Sequence, residues 1–396
     1  KGVFSPKYVE GFNFIGDGKS KKEAGYARME LNAEKRLEIA EYNIVSGERV
    51  GAIYTAPEGV ELDGYEWSDD EQKMLLITEE EAIYRHSTQA NYFVYDRQTQ
   101  QRQALSTQGK QRYATFSPKA DKVAFVRGNN LHFKDLQTGE ETQITQDGAQ
   151  NSIINGATDW VYEEEFGIDK AFFFSPNGQY IAFLRFDESK VKEFRLTYHT
   201  GELYPVESVF KYPKAGEDNS VLSVHIYDIS SKKTVKVDIG GTPDQYIPRI
   251  KWTPENQLCV FRLNRLQNQL TLLLAQPTTG ATTTLLEETN PYFINIHDNL
   301  TFLDKGEFLW TSEKDGYNHL YLYDGKGKQL RQLTSGKWEV TEVYGYDKNS
   351  HTIYLQTAQR SALEREVCAL NVKSGKLQEL STERGTNDAA FSTGFN

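Results

Sequence analysis

The sequence predicts an all-β fold, an eight-bladed β-propeller with four-stranded antiparallel blades, on three observations. First, an aromatic residue followed by a tight turn and an apolar strand recurs along the chain, most clearly from Phe116 to Phe125 (FSPKADKVAF) and from Phe174 to Phe183 (FSPNGQYIAF). Second, each copy is followed by another strand that alternates apolar and polar residues and ends at Asp, as in Tyr92 to Asp96, Leu131 to Asp135 and Leu320 to Asp324. Such alternation closed by turn residues is the pattern of half-buried antiparallel strands joined by hairpins. Third, most of the copies are about fifty residues apart, the period of propeller blades.

Taken in order, the blade starts fall near Phe14, Trp67, Phe116, Phe174, Trp252, Phe302, Tyr346 and Phe391. Eight starts suggest eight blades in one propeller domain over residues 1–396. The last begins at Phe391 and the sequence ends at Asn396, so that blade is incomplete in this chain. The interval from Phe174 to Trp252 exceeds the period by enough for an insertion. Residues from about 198 to 219 fit one, because Gly201, Pro205, Pro213 and Gly216 interrupt the alternation there. Insertions in blades map to loops or arms on one face, so this segment reads either as an arm offering a homodimer contact or as a surface loop.

Composition narrows the function. The hydrophobic share of 38%, with 21 Phe and 23 Tyr, supplies a large core rich in strand-favouring residues. Lys and Arg total 45 against 56 Asp and Glu, a net charge of -11 that opposes nucleic acid or an anionic membrane surface as partner. No apolar run is long enough to span a bilayer, and the first residues lack the apolar stretch of an export signal, so any signal peptide is expected to have been removed or left out. The two cysteines, Cys259 and Cys368, read as buried thiols or one optional bridge, and the seven His are scattered singly, so no metal or other cofactor is expected.

The densest chemical cluster is Asp159-Trp160-Val161-Tyr162-Glu163-Glu164-Glu165-Phe166, expected in the connection before the Phe174 blade. Neighbouring carboxylates point to opposite faces of a strand, so two converge only on a helical turn or bulge. Converged, they would trap a free α-ammonium through charge-assisted hydrogen bonds; otherwise the run is a solvated acidic turn whose aromatic flanks anchor it. Arg85, at a strand-to-strand connection, presents a planar fork suited to a carbonyl or carboxylate, or forms a surface ion pair. There is no GxSxG elbow, no βαβ alternation and no phosphate-binding glycine loop, so no catalytic residue is expected in this chain.

The segment DWVYEEEF resembles the double-glutamate motif of the dipeptidyl peptidase IV family almost letter for letter. Arg85-His86-Ser87 resembles the family's arginine segment, Phe174 to Gly178 its following blade start, and Tyr212 to Gly216 its arm. Gly2 to Lys7 and Asp17-Gly18 resemble the opening of bacterial members. The resemblance implies an eight-bladed propeller capping a C-terminal α/β-hydrolase domain, absent from this chain, that carries a Ser-Asp-His triad and releases dipeptides after Pro or Ala. It implies that Glu164 and Glu165 hold the amino terminus of a peptide substrate, and that Arg85 contacts a substrate carbonyl and braces the glutamates. It further implies a periplasmic or secreted bacterial protein, inactive without its hydrolase domain. The family's outer-subsite aromatic-arginine pair falls near Ile296-His297, where neither residue matches, and stays unassigned. Two other readings stand beside this one: a freestanding propeller that binds proteins as a scaffold, and the propeller of a sibling peptidase that releases tripeptides.

Overall fold

A computed structural model describes residues 11–16, 25–392 and 394–395. The segments Gly2 to Lys7 and Asp17-Gly18 lie outside them. The described chain is nearly all-β, with seven antiparallel sheets in succession, six of four strands and the fourth of five because its first strand is in two pieces, the blade pattern of a β-propeller. It divides into two compact units. One, Lys1–Tyr65 with Asn299–Asn396, holds the first, sixth and seventh sheets. The other, Glu66–Asp298, holds the second to fifth and the only α-helix among the described residues.

The recurring aromatic-hydroxyl pair has a physical cause. Ser117 is buried, and its Oγ donates to Asp121 while accepting from the Lys122 amide at 3.0 Å. Ser175 does the same with Asn177 and the Tyr180 amide, and Ser68 with Asp70 and the Lys73 amide. At Thr253 the hydroxyl accepts from the Gln257 amide. Each hydroxyl thus closes the hairpin between the first and second strands of its sheet from inside, satisfying an amide that would otherwise be buried unpaired. The second strands read as continuous apolar runs because both of their faces are covered. Phe308–Ser312 is buried at every position, and Tyr180–Asp187 nearly so. The last strand of a sheet is polar and exposed, as in Gln101–Ala104.

Phe14, Trp67, Phe116, Phe174, Trp252, Phe302 and Tyr346 each fall in the first strand of a sheet. Phe391 does not. It opens no strand, and its ring packs on Tyr354 and Tyr344 of the seventh sheet at 4.6 and 5.3 Å. Cys259 and Cys368 are both free and buried.

The fourth sheet departs most from the repeat. Its first strand is broken into Ile153–Asn155, paired with Asp187 to Arg185, and Phe172–Phe174, paired with Phe183 to Ile181. The acidic cluster is therefore not in a connection between blades, as expected, but in an excursion from the middle of one strand. The chain leaves at Gly156, whose φ of 75° and tight neighbours Val126 and Leu131 make any larger residue strained there. The ladder survives the gap, since the Gly156 amide donates to the Leu184 carbonyl and the Leu184 amide to that of Ala171. The insertion expected near residues 198–219 begins earlier. It is a hairpin of Glu193–Tyr198 and Val206–Lys211, set between the second and third strands of this sheet. Glu193–Tyr198 alternates like a blade strand, which is why periodicity alone assigned it to the blade.

Replacing Ser175 with Ala removes the clasp and strands a buried amide. The expected loss is about 1–3 kcal/mol of stability in urea unfolding, with Ser175→Thr retaining part of it.

Candidate functional site

The excursion folds as a short helix, α1, Trp160–Phe166. Asp159 caps its start, accepting from the Tyr162 amide at 3.0 Å, and Ser220 donates to the other Asp159 oxygen at 2.6 Å. Gly167 ends it in the left-handed conformation at φ 63°, with its N–H on the Tyr162 carbonyl. Tyr162 pins the helix from beneath. Its ring is fully buried within 4.9 Å of Phe166 and Phe186, and its hydroxyl accepts from the Ile247 amide of the fifth sheet at 2.8 Å.

Successive helical residues diverge by about 100°, so the three glutamates take three environments. Glu163 points inward and is 2% exposed. One of its oxygens accepts from the backbone amides of His86 at 2.6 Å and Ser87 at 3.0 Å. Those amides belong to the tip joining Lys73–Ala82 to Thr88–Asp96 in the second sheet, which Ser87 tightens by its own contacts with Tyr84 and Ile83. Glu164 is half-buried, and one of its oxygens lies 3.4 Å from Nε of Arg85. Glu165, one position further, is exposed. The Arg85 side chain is 72% exposed, so the pair itself adds little stability.

The structure thus brings Arg85 and Glu164 together and leaves Glu165 beside them on the outer side of the same helix. Sequence reasoning missed Glu163 as the tie between helix and hairpin. The Asp159 and Gly167 pair, a capping residue before and a glycine after, was the local signal for the helix.

A second carboxyl lies behind the site. Glu188 is 5% exposed, and burial, then the nearby Asp159, push it up to about 7, against Lys211. Burial likewise pushes Tyr84 up to about 12, with Glu188 adding to the shift.

Glu163→Ala leaves two amides without their acceptor. It should cost roughly 2–4 kcal/mol of stability and speed hydrogen exchange at residues 84–88, with Glu163→Gln affected less. Glu188 keeps its proton in the folded state to about pH 7, whereas the unfolded chain loses it near 4.5. Between those values the unfolded state binds fewer protons, so this group lowers stability as pH rises. Glu188→Gln should gain melting temperature over the parent from about pH 5 to about pH 8.

With this geometry in place, the comparisons with known proteins identify the fold's relatives. A family model described as "Dipeptidyl peptidase IV (DPP IV) N-terminal region" matches residues 68–396. The crystal structure of Porphyromonas gingivalis dipeptidyl peptidase 4 superposes with a TM-score of 0.88 at 39% identity, over 97% of this chain and 55% of that one. Dipeptidyl aminopeptidase B of Saccharomyces cerevisiae is 28% identical over 99% of this chain and 50% of its own length. Dipeptidyl-aminopeptidase B of Aspergillus niger is 30% identical over 81% of this chain and 39% of its own. The chain spans about half the length or less of these relatives. A buried glutamate tying an acidic helix to an arginine hairpin, on a repeat of four-stranded blades, is thus the setting in which the match is found: the chain belongs to the dipeptidyl peptidase IV family, as its N-terminal propeller region.

Proposed function

We propose that this chain recognises the amino terminus of peptides and gates their access for a serine exopeptidase that releases Xaa-Pro or Xaa-Ala dipeptides. The nucleophile then resides in a hydrolase domain outside this chain, in keeping with relatives about twice as long. The observation that carries the reading is the Arg85 to Glu164 contact on a helix and a hairpin locked together by Glu163. A peptide's α-ammonium, protonated below its usual pKa near ~8, takes charge-assisted hydrogen bonds from Glu164 and Glu165. Arg85 keeps the Glu164 carboxylate oriented and turns its remaining N–H groups to a substrate carbonyl. Holding the leading charge at a set distance from the nucleophile favours short register and excludes blocked amino termini.

The test uses the protein at full length. Glu164→Gln and Glu165→Gln should each lower kcat/KM on free-amine Xaa-Pro substrates by about 30-fold or more, the equivalent of about 2 kcal/mol or above. N-acetylated versions should not be cleaved. Wild-type turnover of the acetylated substrate, or full activity in both variants, would overturn the reading, and release of tripeptides would reassign it to the sibling activity.

A further inference from the structure

The arm of the fourth sheet is split in character. Its tip is open to solvent, with Leu203 88% and Tyr204 78% exposed, whereas the return strand is packed where it reaches the sheet, Phe210 being 9% exposed. What the stem packs on is the site. The Phe210 ring lies 5.8 Å from that of Tyr84, the residue before Arg85. The Tyr212 ring lies 4.4 Å from that of Trp160, the first residue of α1. Ser220, where the chain rejoins the sheet, holds the Asp159 cap at 2.6 Å.

The stem is itself braced. Phe194 on the outgoing strand contacts Phe210 and Tyr212 at 6.0 and 5.3 Å, and the Tyr212 amide donates to the Lys192 carbonyl at 3.0 Å. Lys211 Nζ reaches the Val191 carbonyl at 2.7 Å. One short stretch of chain therefore touches both the hairpin that carries Arg85 and the helix that carries Glu164 and Glu165, through residues other than those of the Glu163 tie.

We propose that Phe210 and Tyr212 are positioning residues, setting the separation between the Arg85 hairpin and α1, so that the arm stem shapes the ammonium clamp without touching substrate. Glu163 fixes the two pieces at the level of the backbone. The aromatic stem adds one tilted ring contact to each piece, at 56° between Tyr84 and Phe210 and 57° between Trp160 and Tyr212, and such pairs contribute beyond the area they bury. The proposal rests on the clamp reading for its consequence in catalysis, but its structural content is separable.

The experiment compares Phe210→Ala, Tyr212→Ala, Tyr212→Phe and the tip variant Leu203→Ser/Tyr204→Ser in the full-length protein. Hydrogen exchange by mass spectrometry is read without reference to activity. Phe210→Ala should speed exchange at residues 84–88 and Tyr212→Ala at 159–167, while the fifth sheet keeps its protection. On a free-amine Xaa-Pro substrate both should raise KM by about tenfold with kcat held within about threefold. Tyr212→Phe and the tip variant should match the parent in both readouts. Unchanged exchange in the two segments, equal loosening of the whole unit, or a tip variant as impaired as the stem variants would overturn the proposal. An inactive wild type sinks the clamp reading alone, and the exchange pattern then still decides the role of the stem.

Discussion

A carboxylate taken out of water must be repaid in hydrogen bonds, and the rest of the site depends on how Glu163 is repaid. At 2% exposure it takes both the His86 and Ser87 amides onto one oxygen, across more than seventy residues of sequence. A hydrogen-bond partner lost inside the protein costs more than one lost at the surface. The contact joins a hairpin tip and a seven-residue helix, neither of which would hold its place alone. The more visible pair, Arg85 with Glu164, follows from it. An arginine that is 72% exposed does not organise structure; it is presented by structure.

The scaffold tolerates this presentation because of where the excursion leaves and returns. Leu184 keeps both of its backbone bonds, one to each side of the break in the first strand, so the sheet continues while the strand detours. The same sheet carries the arm between its second and third strands. Two insertions in one blade meet at one point, Trp160 against Tyr212 and Asp159 against Ser220, and each is ordered by the other. The rest of the repeat stays regular, and its clasping hydroxyls at Ser68, Ser117, Ser175 and Thr253 supply the rigid frame that a loop-borne site requires.

Burial also sets the chemistry behind the clamp. Glu188, pushed up to about 7, and Asp159, raised by its own burial, set two buried carboxyls near a helix that carries the half-buried Glu164 and the exposed Glu165. Neighbouring carboxyls thus serve as scaffold or as presented charge according to their depth and partners.

Periodicity by itself determined the architecture: an aromatic in the first strand and an alternating strand after it recur along the chain, and in the second to fifth sheets a hydroxyl beside that aromatic closes the same hairpin. The acidic run and Arg85 stood out locally, whereas Glu164 and Glu165 were singled out within that run only by the resemblance to the family. Which glutamate turns inward, that the acidic segment interrupts a strand rather than linking two, that the arm starts before residue 198, and that Phe391 folds back onto Tyr354 were decided only in three dimensions. The reason is the range of the forces involved. Pattern within a few residues reports propensity and burial, whereas a carboxylate's partner seventy residues away, or a register resumed after a detour, exists only once distant segments have packed.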